Sequence, residues 1–148
     1  MEDPRGKLNE ALKEAMKNKD NQRRDVIRMV LSGIKQVEVD TRKELSAEDV
    51  VAVLQKEIKT RRESREESRK AGRLEQVSDQ QKELDILEAF LPKQLSREEI
   101  AVLAKEAIAQ AGATTAKEMG KVMGFLMPKV KGLADGKLIN EVVRELLN

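Results

Sequence analysis

Apolar residues in this chain recur at three- and four-residue intervals almost from end to end, and no useful length of it alternates apolar with polar. That spacing lays a buried stripe along helix after helix and leaves nothing to build a sheet, so the expected fold is all-α. Leu8, Ala11, Leu12, Ala15 and Met16 form the first stripe. Ile27, Val30, Leu31, Ile34 and Val37 form the second, and Val50, Val51, Leu54 and Ile58 the third. Leu84, Leu87 and Leu91, with Ile86 and Phe90 beside them, form a fourth that Pro92 stops. Beyond the Pro92–Leu95 junction, Ile100, Leu103, Ala104, Ala107 and Ile108 begin again. Met119, Val122, Met123, Leu126 and Met127 follow, then Leu138, Ile139, Val142, Val143, Leu146 and Leu147. The reading is a four-helix N-terminal domain at 1–92 and a compact three-helix domain at 93–148.

Local signals set the boundaries. Asn18 to Gln22 is a polar break, and Gly72 and Gly112 sit where helices should end. Ser46-Ala-Glu-Asp49, Ser96-Arg-Glu-Glu99 and Thr115-Ala-Lys-Glu118 have the spacing of capping boxes, and Asp135 is placed to cap the last helix. Pro128 is expected to end the helix that Thr115 opens. Gly33 lies inside a helix at a cost of about 1 kcal/mol against Ala, which points to close approach of a neighbouring helix.

Composition narrows the chemistry. Among 148 residues there is no cysteine and no histidine, which excludes disulfides, thiol chemistry, the usual zinc sets and serine–histidine or cysteine–histidine catalysis within the chain. Neighbouring carboxylates such as Glu66/Glu67 and Glu98/Glu99 diverge on a helix. No glycine-rich phosphate loop can follow a strand where strands are missing. Independent catalysis, a cofactor and a metal are therefore not expected. No stretch approaches the roughly 18 apolar residues of a membrane span, and the N-terminus MEDPRGKLNEAL has no secretory core, so a soluble cytoplasmic protein is expected.

The net charge of +2 implies no nucleic-acid partner by itself, but its distribution is uneven. Residues 1–92 balance 20 basic against 20 acidic side chains, while 113–134 hold Lys117, Lys121, Lys129 and Lys131 against Glu118 alone. In MGKVMGFLMPKVKGLADGKLI the methionine–leucine arc is core-like, and Gly120 and Gly124 edge it beside Lys117 and Lys121. The glycines either let a neighbouring helix approach or let a sugar–phosphate backbone approach while lysines neutralise it. Lys129-Val-Lys131-Gly132 adds two cations in a tight turn. A second charged feature is the segment KTRRESREESRKA, polar all round, which reads as a long helix projecting past the core. Arg61, Arg65, Arg69 and Arg73, four apart, form either a solvated salt-bridged face or a ladder for phosphates.

Three of these segments, RRESREESRKAGR, KELDILEAFLPKQLS and MGKVMGFLMPKVKGLADGKLI, together resemble the GatB/YqeY family over nearly the whole length, and specifically its free-standing YqeY-like members. The last segment is similar to the C-terminal tail of the GatB subunit of the tRNA-dependent amidotransferase, through Gly120, Gly124, Lys131, Gly132, Ala134, Leu138 and Asn140. The resemblance implies a helical tail unit at 93–148 that contacts tRNA. It does not imply the carbon–nitrogen ligase reaction with glutamine as amido donor, because the portions that activate the glutamyl ester and supply ammonia have no counterpart here. Two expectations result. One is a tRNA- or RNA-binding accessory using Lys117, Gly120, Lys121, Gly124, Lys129, Lys131 and Gly132. The other is a protein-interaction module docking a protein partner on the charged helix around 59–73.

Overall fold

The structure, a computed structural model, describes residues 1–148. It is all-helical and falls into two compact units, Met1–Pro92 and Lys93–Asn148. The first holds α1 (Arg5–Lys17), α2 (Asn21–Thr41), α3 (Ala47–Lys70) and α4 (Leu74–Glu88). The second holds α5 (Arg97–Ala111), a 3-10 turn (Ala116–Glu118), α6 (Met119–Val130) and α7 (Gly136–Leu147).

In the first unit the apolar stripes meet in one core that includes Leu8, Ile27, Val30, Leu54, Ile58, Leu84 and Leu87, each nearly sealed from solvent. Met16 does not join it. It is half exposed, and its sulfur accepts a 3.6 Å hydrogen bond from Arg28. Gly33 is not a close-approach site either, because a Cβ built there meets nothing within 4 Å. Arg5 ties the start of α1 to the end of α2. Its guanidinium donates to Asp3 at 2.7 Å, to Glu38 at 3.2 Å and to the Leu45 carbonyl at 2.7 Å, while Glu38 also accepts from the Leu45 amide at 3.0 Å. The Arg5 hydrogen bond holds the Asp3 carboxyl below its ordinary range.

No residue of α3 after Ile58 belongs to the apolar core, in keeping with the polar sequence there. That half nevertheless has a partner. Gly72, at φ +74°, reverses the chain after α3, and α4 packs back along it. Ser68 is buried in the resulting hairpin and its hydroxyl lies 3.5 Å from Gln76 Oε1.

In the second unit Ile100, Ala104 and Ala107 of α5 pack with Val122, Leu126 and Val130 of α6 and with Ile139, Val142, Val143 and Leu147 of α7. The Ser96 capping box forms in full, with Ser96 Oγ accepting from the Glu99 amide at 3.1 Å and Glu99 Oε1 from the Ser96 amide at 3.3 Å. Thr115 does not cap as expected. Its side chain makes no cap hydrogen bond, the chain enters as a 3-10 turn, and the neighbouring Thr114 hydroxyl reaches Glu118 at 3.4 Å instead. Asp135 caps α7 by accepting from the Lys137 amide at 3.2 Å. Pro128 does not end α6. It lies inside the helix, which runs on to Val130. The carbonyl that proline deprives of a donor belongs to Gly124, an exposed residue where water can serve it.

Candidate nucleic-acid interface

α6 divides cleanly into two sides. Val122, Leu126 and Val130 are fully buried, and Met119, Met123 and Met127 pack against the same core. The methionine–leucine arc is therefore packing. The opposite side carries two adjacent rows at four-residue spacing, Gly120–Gly124–Pro128 and Lys121–Phe125–Lys129, all exposed. Lys117, in the 3-10 turn that runs directly into α6, is exposed at the head of the second row.

The two explanations for the glycines now separate. A Cβ built on Gly120 or on Gly124 meets no atom within 4 Å, so neither residue makes room for a helix of this chain. Helical glycine is disfavoured against alanine by roughly 1 kcal/mol, and nothing inside the unit returns that cost. The strip is open backbone. Along it Lys117, Lys121 and Lys131 carry no ion pair, while Lys129 approaches Glu106 at 3.8 Å. Three ammonium groups are thus free to meet an anion and a fourth is partly neutralised.

Gly132 belongs to the supporting turn rather than to the surface. It is buried at φ +80°, a conformation only glycine adopts at no cost, and its carbonyl accepts from Gln94 at 3.1 Å. Beside it the Leu95 amide donates to the Leu133 carbonyl at 2.8 Å. Together these bonds fix the direction in which Lys131 leaves α6. Of the other tail-like residues, Ala134 is buried, Leu138 is partly buried and Asn140 is exposed.

The arginine ladder of the first unit is largely spent on the hairpin. Arg61, 13% exposed, pairs with Glu83 and lies 4.0 Å from Glu57, and its second amino group donates to the Met29 sulfur at 3.1 Å. Arg62 bonds Glu88 at 2.8 Å, Arg65 donates to Gln81 at 2.6 Å, and Arg69 bonds Glu66 at 2.5 Å. The last bond lowers the Glu66 carboxyl from its ordinary value. Arg73 lies past the end of α3 and precedes α4. The four side chains therefore do not present one continuous free row.

Phe125 is the residue that sequence reading overlooked. It lay outside the apolar arc and was given no role, yet it is 46% exposed, whereas Phe90 is 8% exposed with the Arg23 guanidinium 5.8 Å from its ring centroid. The signal was present in the spacing, since the interval that pairs Lys117 with Lys121 also leads to Phe125 and Lys129.

A groove of about 440 Å³ lies between α2 and α3, walled by Val37, Leu45, Ala52 and Val53 with Lys43 and Lys56 among its lining. Its Asp49 carboxylate is occupied by the Ser46 capping box. No set of three acidic, histidine or cysteine side chains converges anywhere in the chain, and no helix is long and apolar enough to cross a membrane.

These features define an all-helical, two-unit protein with a basic, side-chain-poor face on its C-terminal unit. The sequence profile of the YqeY family, described as Yqey-like protein, matches residues 5–147, and the chain belongs to that family. No curated protein matches the chain.

Proposed function

We propose that this chain is a tRNA- or RNA-binding accessory protein, related through its C-terminal unit to the amidotransferase tail, acting in the cytoplasm and without a catalytic centre of its own. The observation that carries this reading is the open glycine strip of α6 bordered by unpaired lysines. A sugar–phosphate backbone can lie more closely against Gly120 and Gly124 than against helical residues that carry a side chain. Lys117, Lys121, Lys129 and Lys131 then neutralise its phosphates. Binding of this kind releases counterions, so affinity falls steeply with salt. Each phosphate contact contributes roughly 0.7–0.9 to the slope of log affinity on log salt.

Gel retardation of total tRNA across a salt series tests the reading. The intact chain should retard tRNA at low salt, and replacing all four lysines by alanine should flatten the slope and abolish retardation near physiological salt. Absence of retardation at low salt, or a slope indifferent to the four lysines, refutes it. The proposed role does not include amide transfer to a misacylated tRNA.

A further inference from the structure

We infer that Phe125 is a stacking platform for an unpaired RNA base, so that the target of α6 is a loop or a strand end rather than a continuous duplex. The inference rests on the RNA-binding reading and adds to it the form of RNA that is held. Phe125 keeps nearly half its surface in water and is not among the side chains that pack against the apolar core of the unit. One helical turn before it stands Lys121 and one turn after it Lys129, while the Gly120–Gly124–Pro128 row runs alongside. The face is therefore stepped. Its low tread is bare backbone, where a sugar–phosphate chain can settle. Its high tread is an aromatic ring flanked by two ammonium groups, the combination that holds a nucleobase by its π-face and the adjoining phosphates by charge. A paired A-form helix buries its base faces in the stack and offers none to an exposed ring, whereas loops and ends do. Every base has a π-face, so stacking on the ring is indifferent to base identity.

The test uses two RNA stem-loops with identical stems and equal phosphate number, one with a uridine loop and one with the same loop built from abasic nucleotides. The intact chain should bind the base-bearing loop about five- to a hundredfold more tightly than the abasic one. Phe125→Leu, an exposed change that leaves the core alone, should bind both at the weaker level with an unchanged salt slope, and Phe125→Trp should restore the preference. Equal binding of the two loops by the intact chain, or a preference that survives in Phe125→Leu, overturns the inference while leaving lysine-dependent RNA binding standing. Failure to bind either stem-loop or tRNA at low salt overturns both. A Phe125→Leu variant that loses a protein partner but keeps its RNA preference assigns the ring to a protein contact and likewise overturns the inference.

Discussion

Alanine at both Gly120 and Gly124 should strengthen the fold and weaken the function. Gly124 is in the interior of α6, where alanine is favoured by about 1 kcal/mol, and Gly120 is in the first turn, where about half that gain applies. Both added methyls point into open space, so no packing penalty offsets the gain. The sum is about 1–1.5 kcal/mol in the second unit, which corresponds to a five- to twelvefold rise in protection of the amides that exchange only when that unit opens. Hydrogen exchange followed by NMR reads this directly and separates the second unit from the first, which a single melting curve would not do. In parallel, tRNA binding at fixed salt should weaken several-fold, because two methyl groups hold a backbone away from Lys121 and Lys117. Glutamine at the same positions should weaken it further. Lower protection in the alanine variant would show that the strip is packed in solution. Higher protection with unchanged binding would show that the strip is not where RNA lies.

Arg61→Ala should cost about 1–2 kcal/mol, because it strands the partly exposed Glu83 carboxylate in the α3–α4 hairpin. Arg62→Ala, whose pair with Glu88 is 46% and 40% exposed, should cost under about 1 kcal/mol. Urea unfolding compares the two, and equal losses would refute the structural role given to Arg61. At the N-terminus, the hydrogen bond from Arg5 places the folded Asp3 carboxyl below its ordinary value near 3.8. Its contribution is therefore complete above about pH 4 and is lost as pH falls through the lower, folded value. The difference in melting temperature between the intact chain and Asp3→Asn should be present at pH 6 and shrink toward pH 3; a difference that grows on acidification contradicts the assignment.

The helices and most of their ends were legible because their causes are local. Apolar spacing dictates which face of α5 or α7 is buried, and the reciprocal bonds of the Ser46 and Ser96 boxes join residues three apart. The errors lie where the cause is a distant neighbour or a competing local bond. The polar half of α3 acquires Gln81 and Glu83 from α4, which no periodicity within α3 can announce. Pro128 was tolerated because α6 extends only two residues past it and because the residue four before it is an exposed glycine. The spacing at Thr115 was right for a capping box, yet the side chain made no cap bond and a 3-10 turn took the entry instead. In the candidate site, the lysines and glycines could be named from spacing and resemblance. Whether Gly120 and Gly124 were filled or open depends on what stands opposite a missing Cβ, and that requires the fold. Phe125 needed the same information, since an aromatic at the edge of an apolar arc can turn either way.

The central claim, that RNA lies along the glycine and lysine rows of α6, is tested most directly by titrating the isotope-labelled chain with tRNA and following its backbone amides. The account predicts that the signals of Gly120 and Gly124, which fall in the well-separated glycine region, shift or broaden first, together with those of Lys121, Phe125 and Lys131, while amides across 59–73 stay in place. Perturbations centred on the Arg61–Arg69 segment of α3, or none anywhere at low salt, would contradict it.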